Sequence, residues 1–180
     1  MSGDEPVRDD SIIAALRARR VLGWGFHIWL IVFAVVGYAV DLLTKTLVVK
    51  FLTPGQAHSF VGGWFQVQLL FNPGAAFSMG INLTAAFAVL ALVALVALVA
   101  LIGPRAHGRF ENIIVGLLVA GVAGNLTDRL FRAPGPFRGY VVDFLGIKYF
   151  AVFNVADMCI TAAAVLIIIS LLRSSRRATS

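Results

Sequence analysis

One cysteine, Cys159, stands in the whole chain, which excludes an intramolecular disulfide framework and any CxxC redox or zinc site. Histidine is nearly as scarce. His27, His58 and His107 show no HExxH or paired spacing, so no metal and no cofactor is expected. Charge is sparse as well: 13% of residues are Asp, Glu, Lys or Arg, against roughly 25% in soluble domains. With 59% hydrophobic residues in 180 positions, this excludes an ordinary soluble enzyme and two sizeable domains. A single membrane-embedded domain over 1–180 is expected. The net charge of +6 would suggest nucleic acid in a soluble protein. Here its placement reads as a topology signal, and no nucleic-acid partner is expected. The acidic, polar start MSGDEPVRDD also lacks the pattern of a removable signal peptide.

Long apolar runs are what the chain does have. Four stretches approach the roughly 20 residues that cross a hydrocarbon core: about 24–43, 84–102, 112–130 and 153–172. Residues 1–20 read as a flexible polar and basic flank, 173–180 as a flexible basic tail. Between spans one and two, residues 46–83 change character. Short aromatic and β-branched runs are broken by Pro54-Gly55, Gly62-Gly63 and Pro73-Gly74, which predicts a small surface sheet and a tight loop at Asn72–Ser78. Residues 131–152, with Pro134-Gly135-Pro136, read as a loop able to close over a substrate. The fold class expected is therefore membrane all-α with a small β element. Gly116, Ala120 and Gly124 form a small-residue stripe suited to close helix contact.

Nine of the fifteen lysines and arginines (Arg8, Arg17, Arg19, Arg20, Arg105, Arg109, Arg173, Arg176, Arg177) fall on the side of the two termini. The excess in short segments places that side in the cytoplasm and the surface sheet outside.

Beyond the N-terminal tail the acids are Asp41, Glu111, Asp128, Asp143 and Asp157, and all but Glu111 fall on the sheet side. Polar groups at a bilayer's edge are costly, so their gathering there suggests chemistry. Asp41 has Lys45 one helical turn on, either as a local interfacial ion pair or as support for a site, and Asp128 has adjacent Arg129. Asp143 and Asp157 have no cation at such spacing. These two are free to share a proton and hold a water, as in aspartic proteases. Asn72, Asn125 and Asn154 can supply hydrogen bonds, and Arg129 a fixed charge. A serine mechanism with Lys45 as base stays formally open. A proton-coupled transporter would predict acids at mid-span and internal repeats, which the chain does not show, and a structural assembly protein leaves the polar cluster unexplained.

Five segments in order then carry a resemblance: DLLTK at 41–45, NPGAAFS at 72–78, GNLTDR at 124–129, VVDF at 141–144 and FNVAD at 153–157. Together they resemble the bacterial lipoprotein signal peptidases (signal peptidase II). The resemblance implies a dyad of Asp143 and Asp157, and it adds Gly74 to the supporting set of Asp41, Lys45, Asn72, Asn125, Asp128, Arg129 and Asn154. It further implies a prolipoprotein substrate carrying a diacylglyceryl cysteine, cut just before that cysteine, and a monomer among membrane lipids in the bacterial inner membrane. Leu42 departs from the glutamine usual after the first aspartate of the family.

Overall fold

Helix α1 (Asp9–Phe51) runs far beyond the stretch expected for the first span, in the computed structural model, which describes residues 9–74 and 83–178. Side chains are described for 27–74 and 83–175; the readings made above for residues 1–8, 75–82 and 179–180 lie outside the described residues. Nothing in LVVKF at 47–51 stops a helix, and the first breaker is Pro54. Residues 46–51, expected in the sheet segment, are therefore helical. Asp41 and Lys45, expected at the end of the span, sit well inside it.

The chain then forms strands β1 (His58–Phe60) and β2 (Phe65–Asn72), joined through a left-handed Gly62-Gly63 turn. Helix α2 (Thr84–Ala97) continues through a π turn at Leu98–Ile102 and a tighter turn at Gly103–Arg105. Helix α3 (Arg109–Phe131) follows, then strand β3 (Val141–Ile147) and helix α4 (Val155–Ala178). Four of these helices are long and apolar enough to cross a membrane, over His27–Phe51, Thr84–Arg105, Arg109–Phe131 and Val155–Ser175.

Helix α3 is the central element, packed on α1, α4 and α2. Its small-residue stripe makes this possible. A Cβ on Gly116 would lie 2.6 Å from the Leu30 carbonyl oxygen, and one on Gly37 would lie 2.8 Å from the Ala120 Cβ. Backbones this close leave no room for larger side chains.

The sheet has the order β1-β2-β3, antiparallel throughout. Its third strand comes from the 131–152 segment, so that segment is not a free loop over its whole length. Across β2 and β3, Val67 pairs with Leu145 and Leu70 with Asp143, which leaves one extra residue on β2. Val142 and Phe144 pack with Leu69 against Val48 of α1, Leu52 just beyond it and Val155 of α4. Successive strand side chains point to opposite faces, so this packing directs Asp143 away from the apolar cluster.

Candidate active site

Asp143 and Asp157 both line one cavity of about 710 Å³ at the sheet end of the helices. Asn72, Gly74, Asn125 and Arg129 line it too, so the strand, the β2 end and two helices converge there. Val141, Ile147, Phe150, Phe153, Met158 and Ile160 make up most of its apolar wall.

Asp143 is buried mid-strand. Its Oδ2 accepts from Asn72 Nδ2 at 2.8 Å and its Oδ1 from Asn154 Nδ2 at 2.7 Å. Asn72 lies diagonally across the ladder, two positions from the partner Leu70, within reach of a short amide. Burial pushes the Asp143 carboxyl up to about 6; Asp157 acts in the same direction, while the Asn72 and Asn154 amides and Lys45 pull it down.

Asp157 occupies the third position of α4, with Asn154 just before the helix rather than in its first turn as expected. Asn154 Oδ1 accepts from the Asp157 N–H at 3.0 Å, and Asp157 Oδ2 accepts from the Asn154 N–H at 3.2 Å. This reciprocal cap satisfies two N–H groups that a helix start leaves without partners. Asp157 Oδ1 takes a further bond from Asn125 Nδ2 at 2.8 Å.

The three asparagine amides are oriented by the same device. Each oxygen is taken by a donor: Asn72 by the Gly74 N–H at 3.0 Å, Asn125 by Lys45 Nζ at 3.0 Å, Asn154 by the Asp157 N–H. Each NH₂ is thereby turned toward a carboxylate. Asn154 Nδ2 also reaches Asn125 Oδ1 at 3.1 Å, which links the two halves of the site.

Asp41 and Asp128 do different work. Lys45 Nζ lies 2.8 Å from Asp41 Oδ2 and 2.9 Å from Asp128 Oδ2, with all three side chains buried. Asp128 pairs also with Arg132, and accepts from the Val142 N–H at 3.2 Å, clipping β3 to the end of α3. Asp41 Oδ1 accepts from the Ala156 N–H at 2.8 Å, holding the start of α4 to α1. The expectation that Asp128 pairs with adjacent Arg129 is therefore wrong: neighbours in a helix point apart, and the partner is Arg132 four positions on. That acid-before-base spacing is the one recognised for Asp41 and Lys45, so the signal was present and missed. The Tyr38 hydroxyl, 3.1 Å from Thr127 Oγ1, was also missed, and no spacing marks it.

Arg129 faces the cavity instead. It donates to the Gly74 carbonyl at 3.0 Å and the Asn125 carbonyl at 3.3 Å, and its charge acts on both Asp143 and Asp157. Its Nε has no partner among the described residues. All ten residues singled out from the sequence thus meet in one connected network, two as neutralised supports and two as carboxylates held by amides.

Four spans capped by a small sheet, with carboxylates gathered where they meet, define a membrane-embedded aspartic peptidase. Residues 33–173 match the family described as Signal peptidase (SPase) II, and the chain belongs to that family. A lipoprotein signal peptidase of Streptomyces griseus is 38% identical over 167 residues, covering 93% of this chain and 82% of that one. The lipoprotein signal peptidase of Mycobacterium tuberculosis is 40% identical over 136 residues, 76% of this chain and 67% of the relative. Two solved structures of a bacterial membrane enzyme superpose with TM-scores of 0.72 and 0.68, each at 28% identity, covering 81% and 79% of this chain and 88% and 92% of theirs.

Proposed function

We propose that this protein removes the signal peptide from prolipoproteins whose cysteine already carries a diacylglyceryl group, using Asp143, Asp157 and a water. The observation that carries the reading is the division of the acids. Asp41 and Asp128 are neutralised by Lys45 and Arg132, whereas Asp143 and Asp157 share a cavity and, among the described residues, are held by neutral donors.

Asp143, buried and titrating near 6, carries the shared proton as general acid. Asp157, at the N-terminal end of α4 where negative charge is stabilised, is the base. Water attacks the scissile carbonyl carbon, its proton passing to Asp157 while the Asp143 proton passes to the carbonyl oxygen. Collapse of the resulting diol breaks the C–N bond, the leaving amine takes the proton from Asp157, and the diol proton returns to Asp143. The dyad carries one negative charge throughout, and Arg129 balances it.

The apolar wall suits a signal peptide helix and a lipid chain lying alongside it. The basic excess on the terminal side supports an arrangement with both termini in the cytoplasm and the sheet and dyad at the outer face. Purified protein in detergent should cleave a diacylglyceryl-modified precursor and leave the unmodified precursor intact. Equal cleavage of both would remove the lipid requirement, and cleavage of neither would remove the function.

A further inference from the structure

A second cavity, of about 600 Å³, lies at the end of the helices opposite the sheet and takes no part in the cleavage proposed above. Its size is that of a small-molecule site, roughly 300–1,000 Å³. The π turn that follows α2 contributes Leu101 and Ile102 to its lining, α3 contributes Ile114 and Val115, and α4 contributes Ile167 and Leu171. A π turn is a widened turn, and such turns recur at functional sites. Here it forms one wall of an apolar groove. Two charged side chains stand in the same lining, Arg105 and Glu111, both exposed. They form no ion pair with each other among the described residues. Each is held locally instead: Arg105 donates to the Leu101 carbonyl, and Glu111 accepts from the His107 N–H at 2.9 Å.

At the same end of the helices, Arg109 lies over the Trp29 ring at 5.7 Å and Arg173 over the Phe110 ring at 6.0 Å. Arginines and aromatic rings gather where the hydrocarbon of a bilayer gives way to headgroups. The groove therefore sits with acyl chains against its walls and headgroups beside its two charges. An occupant that matches it has hydrocarbon, an anionic group for Arg105 and a cationic group for Glu111. A phospholipid with an ethanolamine headgroup carries all three, its phosphate and primary ammonium two methylenes apart. A choline headgroup has the cation but no N–H to donate. A glycerol headgroup has no cation, and its net negative charge would meet the Glu111 carboxylate unfavourably. We propose that this groove binds one phosphatidylethanolamine of the surrounding leaflet, with its phosphate on Arg105 and its ammonium on Glu111.

The test uses the full chain in detergent, stripped of lipid and titrated with phosphatidylethanolamine, phosphatidylcholine or phosphatidylglycerol of identical acyl chains. Bound lipid is counted by native mass spectrometry. Wild type should bind one phosphatidylethanolamine roughly two- to fivefold more tightly than either other lipid, the scale of an exposed ion pair. Arg105→Gln should weaken all three lipids by a similar factor, since each carries the phosphate. Glu111→Lys should reverse the order in favour of phosphatidylglycerol. Ile167→Trp, at an exposed position of the wall, should fill the groove and lower the binding of all three. Equal affinity of wild type for the ethanolamine and choline lipids, or a preference unchanged in Glu111→Lys, would overturn the proposal. Unchanged binding in Ile167→Trp would place the lipid elsewhere and overturn it too. A dimer that carries no lipid would do the same, by giving the groove to a second copy of the chain. None of these readouts depends on cleavage, so the peptidase reading stands or falls separately.

Discussion

Asn154 and Asp157 hold each other by two bonds, Asn154 Oδ1 to the Asp157 N–H at 3.0 Å and Asp157 Oδ2 to the Asn154 N–H at 3.2 Å. This cap begins α4 and at the same time fixes one carboxylate of the site. It also turns the Asn154 NH₂ toward the other, at 2.7 Å from Asp143 Oδ1. Structural and chemical duties can therefore be separated at this position. Asn154→Ala should cost about 1 kcal/mol through loss of the cap and lower turnover severely. Asn154→Ser keeps a capping oxygen but is too short to hold Asp143. It should recover most of the thermal stability in detergent and little of the turnover. Recovery of both would reduce Asn154 to a cap.

Among the described residues, Lys45 is the cation that pairs with both supporting aspartates, so its removal leaves two buried carboxylates short of a partner. Breaking a buried pair by deleting one side costs about 3–5 kcal/mol. Lys45→Met should lower the unfolding temperature sharply and release the Asn125 oxygen from its donor. Adding Asp41→Leu should recover part of the loss, since the uncompensated charge goes with it. A destabilisation in Lys45→Met no larger than that of a surface substitution would contradict the network.

The close approach of α3 to α1 is testable at Gly124. A Cβ there would meet the Asp41 carboxylate and lie 3.1 Å from the Ala156 Cβ, whereas one on Gly108 meets nothing within 4 Å. Gly124→Ala should destabilise by about 1–3 kcal/mol, as overpacked cores do. Gly108→Ala should be close to neutral. Equal thermal stability of the two variants would show that α1 has room to move.

The pH profile follows from Asp143. Its carboxyl is raised to about 6, so the proton needed for catalysis is held below that pH and lost above it. In the free enzyme, kcat/KM should fall as pH rises through about 6, with a second, acidic limb where the base is protonated. The two apparent values belong to the pair. The Asn72 bond favours the ionised form, so Asn72→Val should move the alkaline limb to higher pH along with any loss of rate. A shift to lower pH would contradict the assignment of that limb to Asp143.

Much of this arrangement was legible in the sequence, and the reasons differ by residue. Spans two and three are set by apolar length and the Gly103-Pro104 break, so their limits came within a few residues. The first span was cut short because Asp41 and Lys45 look like an interface, when α1 buries them and continues to Phe51. Burial of a charge depends on its partner, and Asp128, which shares Lys45, lies 83 residues further along the chain. The Asn125 orientation was equally hidden, since it depends on Lys45 of another helix, whereas Asn72 and Asn154 are turned by N–H groups two and three residues on. Asp143 and Asp157 were singled out because the other acids had visible partners, and one of the partners named, Arg129 for Asp128, was the wrong arginine.

The central claim is that Asp143 and Asp157 act as one catalytic unit. Asp143→Asn and Asp157→Asn preserve size and most hydrogen-bonding capacity, so both proteins should fold. Cleavage of a diacylglyceryl-modified precursor should be measured for equal amounts of folded wild type, each single variant and the double variant. The account predicts near-complete loss in each single variant and no further loss in the double, because either carboxylate alone cannot complete the proton circuit. Near-normal turnover in either Asp143→Asn or Asp157→Asn would contradict it.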